Sequence, residues 1–419
     1  MIRAFRSAAA AIRLGVYSMA EGSVRAVGFR FVMLVLFMVV VATNQLLWIT
    51  FAPVTGEAAA LYGVSNLAIG LLSLVFMVVF IVVSIPASWI LDTYGIRVGV
   101  GIGAALTGGF GLLRGFLAHD YTGVLIAQIG IAVGQPFILN AIAKLSGRWF
   151  PVRERATATG LGSLAMYAGI FAGLALTPVL VVRTSLPTTL LAYGIAAAAG
   201  AILFLVFSRE RPPHPVGPEE RSLVFDGVRA MLHNRDFLVL LVLFFIGLGA
   251  FNAVTTWIED ILRPRGFSIE QAGLAGGMMV VGGIVGALII PALSDRFQKR
   301  VPFILLALAG SLPGLLGVAY ATGYGLLLVS SFALGAFLLS SGPLGFQYAA
   351  EITHPAPEGT SSGLLLLAGQ VSGIAFIVGM DALRAPTTGA MTSSLLVLVG
   401  LLALGLVLAT RLREAEPTS

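Results

Sequence analysis

The segment LDTYGIR at residues 91–97 and the segment LSDRFQKR at residues 293–300 decide the fold of this chain. Each ends a long apolar run, and their acids, Asp92 and Asp295, are 203 residues apart. A second pair of segments, RERATATG at residues 153–160 and APEGTSSG at residues 356–363, ends on Gly160 and Gly363 with the same offset of 203 residues. Two independent patterns that share one offset indicate an internal duplication into two parallel halves.

The sequence around these segments is typical of an integral membrane protein. Of 419 residues, 58% are hydrophobic and 11% are charged, a composition that one soluble core cannot accommodate. A bilayer core requires about 20 apolar residues per helical span. The continuous apolar runs predict twelve helices and exclude the alternating strands of a membrane β-barrel. These helices are expected at residues 31–51, 67–90, 98–118, 122–146, 157–181, 186–208, 237–258, 270–294, 300–321, 324–348, 360–382 and 391–411.

The predicted fold class is therefore an all-α membrane protein with twelve transmembrane helices in two parallel six-helix bundles. The predicted domains are a basic N-terminal arm (1–30), an N-terminal bundle (31–208), a linker (209–236), a C-terminal bundle (237–411) and a tail (412–419). The arm superficially resembles a signal peptide. Because Arg13 cuts its apolar stretch short, we interpret the arm as a cytoplasmic or membrane-surface segment.

The distribution of basic residues predicts the orientation in the membrane. The arm, the alternate gaps and the tail hold 20 Lys or Arg, whereas the opposite side holds five. The positive-inside rule then places both termini in the cytoplasm, and we expect a monomer in the plasma (inner) membrane. Nucleic acid is excluded as a partner, because its binding needs clustered cations with interleaved aromatic residues. The expected partners are the lipid bilayer and a small-molecule substrate.

No cofactor and no metal site are expected. The chain has no Cys, which removes thiolate nucleophiles, thiolate metal ligands and iron–sulfur clusters. The four His residues fall in gaps or at span ends, so that no pair of axial haem ligands lies within a cavity. A membrane enzyme would need His or acidic residues clustered near one membrane face, and the sequence has no such cluster.

The duplicated segments are candidate gating elements. An acid at a helix end, followed by a tight turn and an Arg, can form charge-assisted contacts that latch one conformation. The alternative is that these charged residues only mark a short polar loop between two spans. Together the two copies resemble the loop motif of the major facilitator superfamily, although the second copy lacks the Gly. The candidate gating residues are Asp92, Gly95, Arg97, Arg155, Asp295, Arg296, Glu351 and Glu358.

Three stretches resemble the feline leukaemia virus subgroup C receptor family more closely. They are NQLLWITF leading on to IPASWILDTYG (44–95), QPFILNAIAKLSGRWFP (135–151) and AEITHPAPEGTSSGLLLLAGQVSG (350–373). Members of that family are associated with choline and ethanolamine transport, with proposed haem export and, in a more distant branch, with pyridoxine. The resemblance implies a substrate pocket that contains Trp48, Gln135 and Gln370.

One position departs from the family pattern. Asn252 stands where the family's choline carriers have a Tyr that partners the Trp, so the resemblance implies that another aromatic residue completes the pocket. The candidates are Phe251, Trp257 and Tyr167. This departure weakens the choline assignment within the family resemblance.

The pocket residues also have ordinary explanations. Trp48 lies toward the outer half of its span, where Trp is common at the lipid interface. Facing the bundle axis, it would instead hold a cation against its ring, worth about 0.5 to 2 kcal/mol. The amides near mid-span need partners, and interhelical hydrogen bonds are the alternative to ligand contact. These amides belong to Gln135, Gln370 and, as weaker candidates, Asn44, Gln45, Asn140 and Asn252.

The sequence favours alternating-access transport of a small organic solute over a non-transporting receptor, because both halves keep the loop motif. The ionisable residues of the spans lie near their ends, where they are expected to reach water: Arg114, Glu259, Glu351 and Asp381. Without an acid at mid-membrane, facilitated transport is predicted. The rival is proton coupling through Glu351 or Glu259, since burial would raise the pKa of either carboxyl group.

Overall fold

The structure is a computed structural model that describes residues 28–210, 228, 231–353 and 358–414. Within these residues, twelve helices are long and apolar enough to cross a membrane, as predicted. They are α1 (Gly28–Tyr62), α2 (Asn66–Tyr94), α3 (Ile96–Phe116), α4 (Tyr121–Trp149), α5 (Arg153–Arg183), α6 (Leu186–Phe207), α7 (Arg235–Thr256), α8 (Ile269–Phe297), α9 (Val301–Tyr320), α10 (Tyr324–Thr353), α11 (Thr360–Ala382) and α12 (Thr392–Ala409). The arm and most of the linker and tail lie outside the described residues, and those boundaries stay predictions.

Helices α2 and α8 show the duplication most directly. Each has 29 residues, and they begin 203 residues apart at Asn66 and Ile269. Ser65 and Ser268 cap them in the same way, since each hydroxyl accepts from the backbone amide three residues later at 3.2 Å. The two halves therefore repeat helix length, start and cap, and the predicted fold class of two six-helix bundles is confirmed.

Helices α1 and α4 are interrupted, and α7 is followed by a separate short helix. Helix α1 tightens into the 3-10 turn Ala52–Val54 and continues as Thr55–Tyr62, which carries it beyond the predicted end at residue 51. Pro53 lies in this turn and has no N–H to continue the α-helical ladder. Helix α4 consists of Tyr121–Leu139 and Ala141–Trp149. After α7, the chain forms the short helix Ile258–Leu262 and the turn Arg263–Arg265.

Small residues let the helices within each half approach closely. A Cβ atom built at Gly286 of α8 would overlap the backbone carbonyl of Ala336 on α10. In the first half, Gly194 of α6 lies in the same manner against the backbone of Gly111 on α3. Backbone contact at such points is the usual way in which helices associate in a membrane, where lipid provides no hydrophobic drive.

The two ends of the bundle differ in how the halves meet. We call the end that carries Asp92 and Asp295 the motif end, and the opposite end, which carries Gly56 and Asp260, the far end. Toward the far end, Gly273 of α8 packs against the backbone of α5, and Gly70 of α2 packs against Trp257. At the motif end, the ion pairs given for the described residues each join groups of one half. The structure is therefore a far-end-closed conformation.

Candidate functional site

Trp48 lies inside the bundle. Its side chain is 7% exposed and belongs to the main apolar core. The indole Nε1 donates to the backbone carbonyl of Ser73 on α2 at 3.2 Å. A Trp at the lipid interface would keep its ring at the bundle surface, so the ordinary explanation does not apply to this residue. Trp48 therefore lies in the interior of the bundle, and its place in a substrate pocket stays a prediction.

Two classes of buried amide can be separated by their hydrogen bonds. The first class is held by neighbouring protein groups. The Asn44 amide donates to Thr107 Oγ1 at 3.0 Å, and Gln45 donates to Asn44 at 3.2 Å. Asn140 donates to the hydroxyl of Ser88 at 2.9 Å. Interhelical hydrogen bonding therefore explains Asn44 and Asn140, and Gln45 is held by a neighbour within α1.

The second class comprises Gln135, Asn252 and Gln370. Gln135 is 6% exposed, and Asn252 and Gln370 are half-buried. Within the described part of the chain, none of these three amides has a hydrogen-bond partner. Because an amide in an apolar interior is costly unless it is hydrogen-bonded, these three groups are the ones available to a ligand.

Contacts through α2 connect Trp48 with the second half. Ser73, which accepts from Trp48, lies one turn from Met77 on the same helix face. A Cβ atom at Gly373 of α11 would lie 2.6 Å from Met77 Sδ and 3.0 Å from Asn252 Nδ2. The backbone of α11 therefore touches α2 and α7 at this point, three residues from Gln370. This chain of contacts brings Trp48, Asn252 and the Gln370 segment together, while Gln135 is contributed separately by α4.

The internal repeat groups further candidates into equivalent pairs. Trp48 and Phe251 are 203 residues apart, as are Tyr167 and Gln370. They occupy corresponding positions on α1 and α7 and on α5 and α11. Phe251 is buried and Tyr167 is half-buried. Parallel repeats are related by an axis along the membrane normal, so the members of each pair occupy equivalent positions about that axis.

The expectation that Trp257 lines the same pocket is not met in this conformation. Its side chain is 0% exposed, and its Nε1 donates to the carbonyl of Ile377 at 3.0 Å. The Arg384 guanidinium lies 5.2 Å from the ring centroid, and a Cβ atom at Gly70 would lie 2.7 Å from the ring. Protein groups therefore occupy the surroundings of this ring, and Trp257 belongs to the far-end closure.

The contacts that close the far end are polar and join the two halves. The backbone N–H of Gly56 donates to Glu259 at 3.0 Å across a separation of 203 residues, so equivalent positions of the repeat touch. Asn66 donates to Asp260 at 2.6 Å, also from one half to the other. We call these four residues, with Arg263 and Arg384, the far-end cluster. Arg263 and Arg384 pair with Asp260 at 2.5 and 3.0 Å.

The acids of this cluster differ from the sequence expectation that they reach water. Glu259 is 1% exposed, and Asp260 is also fully buried, because the second half meets the first around them. Burial raises the pKa of Glu259 to about 7, which the positive charge of Arg263 only partly opposes. The Glu259 carboxyl group can therefore change its protonation state near neutral pH.

At the motif end, the first loop makes charge-assisted contacts within its own half. Asp92 pairs with Lys144 at 2.7 Å. Gly95 has φ +91°, which favours glycine, and it lies against the carboxylate of Glu210. Glu210 accepts from the backbone amide of Arg97 at 2.7 Å, so the backbone of Arg97, and not its exposed side chain, makes the contact.

The second loop corrects one prediction. Arg296 is exposed, and Arg300 instead pairs with Asp295 and, at 3.0 Å, with Glu351. Arg155 has a different role from an ion pair, since its Nε donates to the carbonyl of Phe150 at 3.2 Å. Glu358 begins the helical segment of α11, and its side chain lies outside the described residues.

Sequence reasoning missed two acids that follow the last helix of each half. Glu210 accepts from the amides of Ile96 and Arg97 at the start of α3. Glu414 accepts from the amides of Arg300 and Val301 at the start of α9, both at 3.0 Å. Each carboxylate thus caps the third helix of its own half, where its negative charge interacts favourably with the positive end of the helix dipole. The separation of these two acids in the sequence is close to the offset of the repeat, and this was the signal that could have identified them.

Comparisons with known proteins agree with this architecture. Residues 33–377 match the family model of the Major Facilitator Superfamily. The chain is 33% identical to solute carrier family 49 member A3 of Danio rerio over 364 residues, which cover 82% of this chain and 76% of that protein. It is 31% identical to the choline/ethanolamine transporter FLVCR1 of Felis catus over 384 residues, which cover 84% and 68% of the two chains.

Solved structures share the fold at low sequence identity. A bacterial homologue of the human lysosomal transporter Spinster superposes with a TM-score of 0.74 at 14% identity, covering 93% of this chain and 99% of that one. A D-xylose–proton symporter gives a TM-score of 0.71 at 16% identity, with coverages of 93% and 98%. Fold, family model and relatives agree, and the chain belongs to the major facilitator superfamily as a secondary transporter of the feline leukaemia virus subgroup C receptor type.

Proposed function

We propose that the protein carries a small organic cation of the choline type, which binds between the two halves at Trp48, Gln135, Asn252 and Gln370. The observation that supports this proposal is the set of three amides that lack a hydrogen-bond partner among the described residues. Other buried amides nearby are satisfied by the protein. A ligand with a hydroxyl or ammonium group would satisfy the three that are left.

Aromatic residues supply the attraction for the cationic part of the ligand. Trp48 offers its ring from α1, with Phe251 and Tyr167 as the aromatic residues that replace the family's Tyr at position 252. A cation held over such rings gains about 0.5 to 2 kcal/mol per good contact. The relative FLVCR1 is named a choline/ethanolamine transporter. Asn252 adds an amide where choline carriers have a phenol, which favours a ligand with more hydrogen-bonding groups than choline.

Access to the pocket alternates between the two ends. In the far-end-closed conformation, the ligand exchanges with the motif end, which the excess of basic residues assigns to the cytoplasm of a plasma-membrane protein. Opening of the far end requires the contacts from Gly56 to Glu259 and from Asn66 to Asp260 to break. The motif-end capping acids, Glu210 and Glu414, hold each half as a rigid unit during this exchange.

The polar groups of the proposed pocket are amides and not carboxyl groups. This favours facilitated transport without proton coupling. A second candidate function is proton-coupled transport, and the burial of Glu259 favours it because the pKa of this carboxyl group lies at about 7. The two candidates make different predictions for purified protein in vesicles. With the membrane potential clamped, an imposed pH gradient should not drive choline accumulation in the facilitated case. Accumulation that Glu259→Gln abolishes would establish proton coupling.

Binding by the pocket can be tested with thermal-shift titrations of choline, ethanolamine and pyridoxine. We expect Trp48→Ala to weaken binding of the organic cation by roughly 3- to 30-fold and Trp48→Phe to recover part of the loss. Gln135→Ala and Gln370→Ala should each weaken it by about tenfold, as expected for a lost hydrogen bond to a charged or buried group. Trp89→Ala is the matched control, because that Trp is exposed on the outer surface of α2.

Two results would contradict the proposal. Near-wild-type affinity in all three pocket variants would show that the ligand binds elsewhere. Binding without movement of the ligand into proteoliposomes would support the receptor alternative instead of transport.

A further inference from the structure

Arg114 does not reach water as its position near a span end suggested. It lies in the last turn of α3, and its side chain is 0% exposed. The guanidinium packs 5.6 Å from the centroid of the Phe51 ring. Among the described residues, Arg30, Arg148, Arg263, Arg300 and Arg384 form ion pairs and keep partly exposed side chains, so Arg114 is buried to an unusual degree.

Among the described residues, only one nitrogen of this guanidinium has hydrogen-bond partners. Nη1 donates to the backbone carbonyl of Leu47 and to Gln128 Oε1, both at 2.9 Å. Nε and Nη2 are buried and have no hydrogen-bond partner among the described residues. These two nitrogens form one edge of the planar group, with parallel N–H bonds that bind carboxylates and other anions through two hydrogen bonds.

A second buried donor lies in the same region. The hydroxyl of Tyr62, at the end of α1, has no hydrogen-bond partner among the described residues. Tyr62 packs against the apolar cluster that contains Phe51, the residue whose ring lies beside the Arg114 guanidinium. Arg114 and Tyr62, which lie on different helices, therefore both have donors without an acceptor among the described residues.

In the part of the chain that the structure describes, the charge of Arg114 has no ion-pair partner. Arg263 and Arg384, at the same end of the bundle, pair with buried carboxylates. Within the described residues, no carboxylate lies within ion-pair distance of Arg114. A buried charge of this kind costs several kcal/mol unless an opposite charge or a full set of hydrogen bonds compensates it. Water could accept the free hydrogen bonds, but an anion would also neutralise the charge.

We propose that Arg114 and Tyr62 form a binding site for a small inorganic anion such as chloride, held by Nε and Nη2 of Arg114 and the hydroxyl of Tyr62. We expect a monatomic anion, because Arg114 and Gln128 are both shielded from solvent and a larger anion would need more space. The site links α1, α3 and α4 through Leu47, which directly precedes Trp48 in the sequence. It is distinct from the organic-cation pocket, whose available groups are amides and aromatic rings.

The test is a thermal unfolding titration of the purified full chain, in which sodium chloride replaces sodium gluconate at constant ionic strength. Constant ionic strength keeps charge screening equal, and gluconate is too large for the enclosed site. The melting temperature should rise with chloride and then follow the logarithmic dependence of a single site that only the folded protein contains. Sodium bromide should act in the same way.

Variants separate the proposed site from general salt effects. Arg114→Gln should abolish the chloride dependence, and Tyr62→Phe should weaken the apparent chloride affinity several-fold. Arg183→Gln is the matched control, since it removes one exposed positive charge at the same end of the bundle and should keep the full dependence. A wild-type melting temperature that does not change with chloride, or a saturating rise that Tyr62→Phe leaves unaltered, would overturn the proposal. These titrations contain no organic substrate, so their failure would not bear on the transport proposal.

Discussion

Acidification should stabilise the far-end-closed conformation through Glu259. In this conformation the carboxyl group is buried and its pKa is about 7, against an ordinary value of 4.5. When the far end opens, Glu259 loses the Gly56 amide but regains water, and its pKa returns toward the ordinary value. The closed conformation therefore binds the proton more tightly. Each pKa unit corresponds to about 1.4 kcal/mol, which makes the maximum stabilisation about 3 kcal/mol.

The size of the effect depends on the pH window. Above pH 7 both conformations are ionised at Glu259 and the closed one gains nothing from the proton. The gain appears as the pH falls through about 7 and is complete below about 4.5. Between pH 8 and pH 5.5, the ratio of closed to open molecules should rise by roughly 30-fold. The facing groups that set this pKa are Arg263, Asp260 and Glu57, with the Gly56 amide.

The absence of native Cys residues allows this ratio to be measured by spin labels. His119→Cys and Thr322→Cys place one label in each half at exposed far-end positions that are 203 residues apart. Electron–electron distances should shift toward the short, closed population as the pH falls. Glu259→Gln should give mostly closed protein at every pH. The exposed neighbour Glu57 provides the control, because Glu57→Gln should keep the pH dependence. An unchanged pH response in Glu259→Gln would refute the reasoning.

Three further predictions concern the motif end and the packing. Asp92→Asn should slow transport while ligand affinity stays within a few-fold, because the pair with Lys144 lies far from the pocket; a loss of affinity as large as the loss of rate would assign Asp92 to the site. Glu414→Gln should lower the free energy of unfolding by about 0.5 to 2 kcal/mol through the weakened cap of α9, whereas Glu270→Gln, at an exposed helix start, serves as the control in chemical unfolding. In intact cells, an impermeant thiol reagent should label Thr322→Cys and not Arg296→Cys, and the opposite labelling would reverse the membrane orientation.

The helices and the duplication were predictable because the sequence alone contains their signals. Apolar runs of span length must form helices in lipid, and the offset between Asp92 and Asp295 appears in the sequence itself. The extension of α1 to Tyr62 was missed because the residues after Pro53 are no longer strongly apolar. Burial at the far end was missed for a different reason. Glu259 and Asp260 resemble solvent-exposed helix ends, and only the meeting of the two halves removes them from water.

The site residues show the same limit. Asn44 and Gln135 are both amides within apolar spans, yet Thr107 satisfies Asn44 and no described residue satisfies Gln135. Which partner lies opposite an amide is a property of tertiary packing, and one sequence does not contain it. Likewise, Arg296 and Arg300 are equally plausible partners for Asp295 in the sequence. The start of α9 decides for Arg300, since its position brings this residue toward Glu351.

The axis of the duplication explains why the pocket and the gate are asymmetric. Residues close to this axis lie near the equivalent residues of the other half. A carboxylate at the same position in both halves would therefore lie near another carboxylate. At the far end, the first half instead contributes the amide of Gly56 and the second contributes Glu259, which gives a donor and an acceptor. In the proposed pocket, Trp48 and Phe251 are equivalent positions of the repeat, as are Tyr167 and Gln370, which combines aromatic rings with an amide. Under the transport proposal, a ligand with a cationic part and a hydrogen-bonding part would bind both halves at once, and this shared binding would couple the ligand to their relative movement.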